Sequence, residues 1–208
     1  GEEATWRAFF KQSGAVEANS LEELLDITMT FLYLTPLRGR RASLVTVGGG
    51  ESVAGADSFA QAGLEVPPLP PERRERLRSF IPPANTSVKN PVDLGMARDL
   101  TLYQRTIEVV AAEPSIDFIV VDPNMELFRD VASGYIDKLA EVLCHFVQET
   151  QHQKPLAVVL ESWEGDTASS EYKVELRHKL AQAGIVAYST LPRACQALAK
   201  FLNYHERR

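Results

Sequence analysis

The run Gly48-Gly49-Gly50-Glu51-Ser52 is the part of this sequence best suited to hold an anion. Adjacent glycines let the backbone turn sharply and leave no Cβ in the way of an approaching ligand. The pattern that follows predicts a helix from about Ser52 to Ala62, and the first N–H groups of a helix have no partners within it. The helix dipole adds roughly 0.3–2 kcal/mol for an anion at that end, and Ser52 is a residue type that caps helix starts. Phosphate is the expected ligand, and a plain strand-to-helix turn is the competing reading. Three familiar anion loops do not fit. Val53 stands where a dinucleotide fingerprint has its third small residue, no Gly-Lys-Ser/Thr follows as in a Walker loop, and the Ser/Thr richness of a flavin-phosphate loop is missing. Glu51 opposes the phosphate reading. A carboxylate about 4 Å from a phosphate costs on the order of 4 kcal/mol at intermediate dielectric, which exceeds the dipole contribution. Glu51 must therefore point away from the anion, or the loop has lost that role.

Other chemistry-bearing residues are more scattered. The segment Asp117–Pro123 looks like the strand of a phospho-receiver that ends in its acceptor aspartate. The acidic pair and the lysine that such a site needs are replaced here by Gly48-Gly49 and Ser189-Thr190, so Asp122 reads as a strand-end or turn carboxylate. Glu161, Glu164 and Asp166 could hold magnesium, or form a solvated acidic loop. The mixed charges of Glu72-Arg73-Arg74-Glu75-Arg76 read as a solvent face. His145, His152, His178 and His205 fall on predicted helices or at the chain end and read as surface residues. Cys144 and Cys195 lie in helical patterns without a C-x-x-C partner, which favours two core thiols over a disulfide or zinc site.

The elements that would position the glycine loop alternate in type. Helices are predicted at residues 2–13, closed by Gly14, and from Leu21, preceded by a Ser20/Glu23 capping box. The second should bury Leu21, Leu24, Leu25, Thr28, Met29 and Leu32. Strands are predicted at Ala42–Val47, Leu64–Val66, Asp117–Val121, Leu156–Leu160 and Ile185–Tyr188. Helices are predicted between them at Pro70–Phe80, Asp99–Ala112, Tyr135–Gln151 and Ser170–Ala183, and a last one at Pro192–Asn203. Apolar strands alternating with amphipathic helices imply a parallel sheet covered on both faces. The expected fold is α/β, a doubly wound, five-stranded, flavodoxin-like sheet, with residues 1–38 as a helical appendage and 39–208 as the main domain. Ligands of such sheets bind outside the carboxyl ends of the strands, where the glycine run lies.

With 208 residues the chain can bury a sizeable core without metal or disulfide staples. A net charge of −6 argues against a nucleic-acid partner. No run approaches eighteen apolar residues and no basic-then-apolar signal opens the chain, so no membrane span and a cytoplasmic location are expected. Gly1 opens the sequence inside a helical pattern, which predicts that the natural chain continues upstream.

Several motifs, in order, resemble the ADP-forming acyl-CoA synthetase family. They are Gly48-Gly49-Gly50-Glu51-Ser52-Val53 through Ala56-Asp57, Ala62-Gly63-Leu64-Glu65-Val66-Pro67, Asn90-Pro91-Val92-Asp93-Leu94, and Gly184-Ile185-Val186-Ala187-Tyr188 with Pro192-Arg193-Ala194 and Ala197-Leu198. Upstream, Phe9-Phe10-Lys11-Gln12-Ser13-Gly14 and Ser20-Leu21-Glu22-Glu23-Leu24-Leu25-Asp26 match the family's preceding segment. The resemblance implies a succinyl-CoA synthetase-like domain. Its enzyme interconverts acyl-CoA, phosphate and a nucleoside diphosphate with acid, CoA and nucleoside triphosphate through an acyl phosphate and a phosphohistidine.

On this resemblance Gly48, Gly49, Gly50, Glu51 and Ser52 would dock the phosphate or phosphohistidine, and Asn90, Pro91 and Asp93 would shape the site. CoA, ATP/ADP and Mg would serve the complete enzyme and be bound by none of this part alone. The partners would be CoA-binding and ATP-grasp domains, with oligomer formation plausible. Two departures stand out. The family's histidine segment is absent, so this part should lack catalytic residues, and Glu51-Ser52 stands where many members have Pro-Gly. The rival expectation is a non-catalytic binding or regulatory module of the same architecture, for instance beside an acetyltransferase domain.

Overall fold

The computed structural model describes residues 2–96, 99–125, 134–149, 154–161 and 167–207. Six strands among them form one sheet: β1 (Ala42–Thr46), β2 (Ser87–Val88), β3 (Val92–Asp93), β4 (Phe118–Asp122), β5 (Leu156–Val159) and β6 (Val186–Tyr188), in the order β2-β3-β1-β4-β5-β6. The five strands from β3 to β6 pair in parallel, and β2 adds an antiparallel edge. Eight helices are described: α1 (Glu3–Ser13), α2 (Leu21–Tyr33), α3 (Gly49–Gln61), α4 (Pro71–Arg78), α5 (Leu100–Ala111), α6 (Tyr135–Glu149), α7 (Thr167–Gln182) and α8 (Leu191–Glu206).

The strands are apolar on both faces because both faces are covered. On one side Val45, Ile119, Val121 and Val158 meet Tyr103 and Ile107 of α5, Leu139 and Leu143 of α6, and Leu176 and Leu180 of α7. On the other side Leu44, Phe118, Val120 and Val159 meet Phe59 of α3 and Leu198 and Phe201 of α8. This is the doubly wound arrangement expected, with one more strand than predicted.

The expected strand at Leu64–Val66 does not form. Glu65 makes one isolated parallel bridge to Arg41, and the position beside β1 belongs to β3, Val92–Asp93. Two physical causes act together. Pro67 and Pro68 cannot donate to a ladder, and the edge of β1 at Ala42–Leu44 is already occupied by the Asn90 side chain. Its amide oxygen accepts the Leu44 N–H at 3.2 Å, and its amide nitrogen donates to the Ala42 carbonyl at 3.0 Å. A two-residue strand after a proline has too little pattern to be read from sequence.

The apolar stripe predicted to be buried on α2 is mostly exposed. Leu21, Leu24, Leu25 and Leu32 face outward, and Asp26, Ile27 and Thr30 are the buried residues. The inward face is partly polar because α2 docks on α8 and on the end of β6 through directed bonds as well as through Ile27 and the Phe31 ring on Phe201. Asp26 takes a forked pair from Arg193, at 2.7 and 3.1 Å, and Thr30 shares a hydrogen bond of 2.8 Å with the Tyr188 hydroxyl. The capping box forms with a shift. Ser20 accepts the Glu23 N–H, and Glu23 reaches back to the Asn19 N–H.

Candidate functional site

At the carboxyl edge of β1 the backbone leaves Thr46, crosses Val47 and reaches Gly48 at φ +107, a conformation that disfavours any side chain. Gly48 is the N-cap, and α3 begins at Gly49, three residues earlier than expected. Ser52 is therefore not the cap. It lies at the end of the first turn, and both its N–H (3.1 Å) and its hydroxyl (3.2 Å) donate to the Gly48 carbonyl. The N–H groups of Gly49, Gly50 and Glu51 have no hydrogen-bond partner among the described residues. Three consecutive free donors at a helix start are what an anion needs.

Asp93 holds this turn in place. One carboxylate oxygen accepts the Gly48 N–H at 2.8 Å and the Gly95 N–H at 2.8 Å, and the side chain is buried. Leu94 then donates its N–H to the Thr46 carbonyl, tying the end of β3 to the end of β1. Asn90 sits elsewhere. It precedes a cis bond to Pro91 and works inside the sheet, where its amide oxygen also accepts the Ser43 hydroxyl and its amide nitrogen donates to the Pro67 carbonyl. The structure thus brings Asp93 to the glycine turn and keeps the Asn90 side chain two strand positions back.

Carboxylates gather at the same edge. Asp122 ends β4, is the register partner of Thr46, and accepts the Asn124 N–H at 3.1 Å. Burial pushes its pKa up to about 7, and the charges of Glu161 and Glu51 push in the same direction. The half-buried Glu51 is thus close enough to Asp122 to be felt there. Glu161 accepts the Leu191 N–H at 3.4 Å, at the start of α8. The sequence showed each acid but not their convergence, which follows because parallel strands end at one edge. Glu164, Asp166 and His152 lie outside the described residues. Among the described residues no group of three or more His, Cys, Asp or Glu could hold a metal ion.

The remaining candidates are distributed as follows. His145 and His178 are exposed, and His205 packs against the rings of Phe31 and Phe201. Cys195 is buried in α8, and Cys144 is partly buried in α6; both are free thiols. The charge run around Arg74 is not simply a solvent face, because Arg73 pairs with Glu113 at 3.2 Å and donates to the Ala112 carbonyl at 2.7 Å.

The family model described as the Ligase-CoA domain matches residues 42–200. The chain belongs to this family. Among relatives, acetate–CoA ligase (ADP-forming) II subunit alpha of Pyrococcus furiosus is 32% identical over 151 residues, which cover 73% of this chain and 32% of that subunit. The corresponding I subunit alpha is 30% identical over 202 residues, 96% of this chain and 40% of that subunit. The chain therefore spans about a third to two-fifths of the length of these two relatives. A crystal structure of a Pyrococcus horikoshii OT3 protein superposes with a TM-score of 0.82 at 26% identity, over 99% of this chain and 45% of that one. An acetyl-coenzyme A synthetase from Ca. Korarchaeum cryptofilum, determined in complex with phosphate and ADP, gives 0.76 at 24% identity, over 99% of this chain and 42% of that one. At that identity it supports the fold alone. Among the described residues no helix is long and apolar enough to cross a membrane.

Proposed function

We propose that this Ligase-CoA domain is one part of a nucleoside-diphosphate-forming acyl-CoA synthetase, and that its glycine turn receives the phosphate or phosphohistidine during acid–thiol ligation. The observation that carries the docking role is the row of three unpartnered N–H groups at Gly49, Gly50 and Glu51, on a turn braced by Asp93. These groups would stabilise phosphoryl oxygens through preorganised hydrogen bonds and the helix dipole. CoA, nucleotide and magnesium would be handled by CoA-binding and ATP-grasp domains. Exposed Trp6, Phe9, Leu21, Leu24, Leu25 and Leu32 support reading residues 1–38 as part of a neighbouring domain of the same enzyme, with 39–208 as the flavodoxin-like domain. A cytoplasmic location would follow from such an enzyme.

The acids at the same sheet edge, Glu51 in the first turn of α3, Asp122 at the end of β4 and Glu161 just after β5, favour a second reading, a binding module in which the architecture is kept and phosphoryl transfer is lost. Activity separates the two. The 208-residue chain alone should form no nucleoside triphosphate from acyl-CoA, phosphate and nucleoside diphosphate, whereas the complete protein should do so with transient histidine phosphorylation. Turnover by the chain alone would mean that the catalytic group is misplaced. A complete protein that never labels with phosphate would favour the binding module.

A further inference from the structure

A groove of about 550 Å³ lies between α4 and the edge strand β2, and Arg74, Glu75, Arg78, Thr86, Ser87 and Lys89 line it. Arg74 and Arg78 are four residues apart, so they share one face of α4. One terminal nitrogen of Arg78 donates to the Pro82 carbonyl and to the Thr86 hydroxyl, both at 2.8 Å. These bonds fix the plane of its guanidinium, while its other N–H groups have no partner among the described residues. The Nε of Arg74 is enclosed and has no hydrogen-bond partner either. Among the described residues none of Arg74, Arg78 and Lys89 forms an ion pair, although neighbouring Arg73 is paired to Glu113. Glu75 offsets part of the positive charge.

No hydrogen bond or ion pair engages the Arg74 side chain among the described residues, so its guanidinium can take an acceptor in the groove that it lines. Three cations and the Ser87 hydroxyl match the several oxygens and double charge of a phosphoryl group far better than they match a carboxylate, while the Thr86 hydroxyl is engaged, donating to the Pro82 carbonyl and accepting from Arg78. The volume exceeds what a bare phosphate fills and falls in the range of organic ligands. Pro71 and Val88 supply apolar wall beside the charged end.

We propose that the α4–β2 groove binds an organic phosphate of nucleotide size, at a site separate from the glycine turn. The probes are ADP, adenosine and inorganic phosphate, titrated calorimetrically into the 208-residue chain, which lacks the ATP-grasp domains, and its variants. Wild type should bind ADP more tightly than inorganic phosphate, and adenosine should not bind detectably. The double variant Arg74→Gln with Lys89→Gln should weaken ADP at least tenfold, whereas Gly50→Asp should leave ADP unchanged. Lys89 is exposed, so Lys89→Glu should fold normally and on its own weaken ADP severalfold even if the double variant does not fold. Any of four results would overturn the proposal: no ADP binding at millimolar concentration, ADP no tighter than inorganic phosphate, unchanged ADP affinity in Lys89→Glu, or loss of ADP binding in Gly50→Asp.

Discussion

At the scale of residues, Asp93 and Asp122, which flank Thr46 from the strands on either side of β1, have opposite effects. Asp93 satisfies two N–H groups of the turn that would otherwise be unpaired. Leaving a buried donor without its acceptor costs about 1–3 kcal/mol, so Asp93→Ala, which strands two, should lose about 2–6 kcal/mol in urea unfolding. Asp93→Asn keeps an acceptor oxygen and should lose clearly less; equal losses would mean that the two hydrogen bonds are not what the side chain contributes. Asp122 is held protonated by burial, with a pKa raised from 3.8 to about 7. Below pH 4 both folded and unfolded chains carry that proton. As pH rises from about 4 to about 7 the unfolded chain releases it and the folded chain does not, so the folded state loses up to about 4 kcal/mol of relative stability. Asp122→Asn should therefore be more stable than wild type at pH 8, by an advantage that fades toward pH 4. A difference independent of pH would contradict this. The sequence marked Asp93 through its motif and Asp122 through its strand. It could not reveal that one carboxylate is bonded to the turn and the other buried beside it, because neither fact is local in the chain.

At the scale of elements, the alternation of strands and helices was readable because both faces of the sheet are apolar and each covering helix carries its own stripe. Two elements were not. The strand beside β1 is only Val92–Asp93, while Leu64–Val66, which has the better strand composition, is stopped by prolines and by the Asn90 amide. Helix α2 has a strong apolar period, but its buried residues are Asp26, Ile27 and Thr30, and it meets α8 through the Asp26–Arg193 pair and the Phe31 ring on Phe201. Periodicity locates a stripe and does not say which neighbour it meets. The contact of α3 with the sheet gives a sharper test. A Cβ on Gly55 would stand 2.4 Å from a Leu44 methyl and 2.9 Å from a Leu191 methyl, both in the core. Overpacking of this kind costs typically 1–3 kcal/mol. Gly55→Val should lower the urea midpoint by the equivalent of at least about 2 kcal/mol and loosen the start of α3. Unchanged stability would show that the core beside β1 has more room than the contacts indicate.

At the scale of the whole molecule, the sheet order brings the ends of β1, β3, β4 and β5 to one edge, and the glycine turn, Asp93, Asp122 and Glu161 meet there. Family membership was legible from motifs spread along the chain, and the match over residues 42–200 agrees with it. Whether the turn docks a phosphate depends on the balance between three free N–H groups and the nearby acids, which motif order cannot weigh. The most direct measurement compares Gly50→Ala with Gly50→Asp in the complete protein, reading the histidine phosphorylation proposed for it. Gly50 has an ordinary backbone conformation, and a Cβ there meets no atom within 4 Å, so alanine should fold and transfer phosphate nearly as well as wild type. Aspartate places a further negative charge beside the donors, worth on the order of 4 kcal/mol against an anion about 4 Å away. Phosphorylation should then fall by well over tenfold, since each 1.4 kcal/mol is about a factor of ten. Undiminished phosphorylation in both folded variants would contradict phosphate docking at this turn.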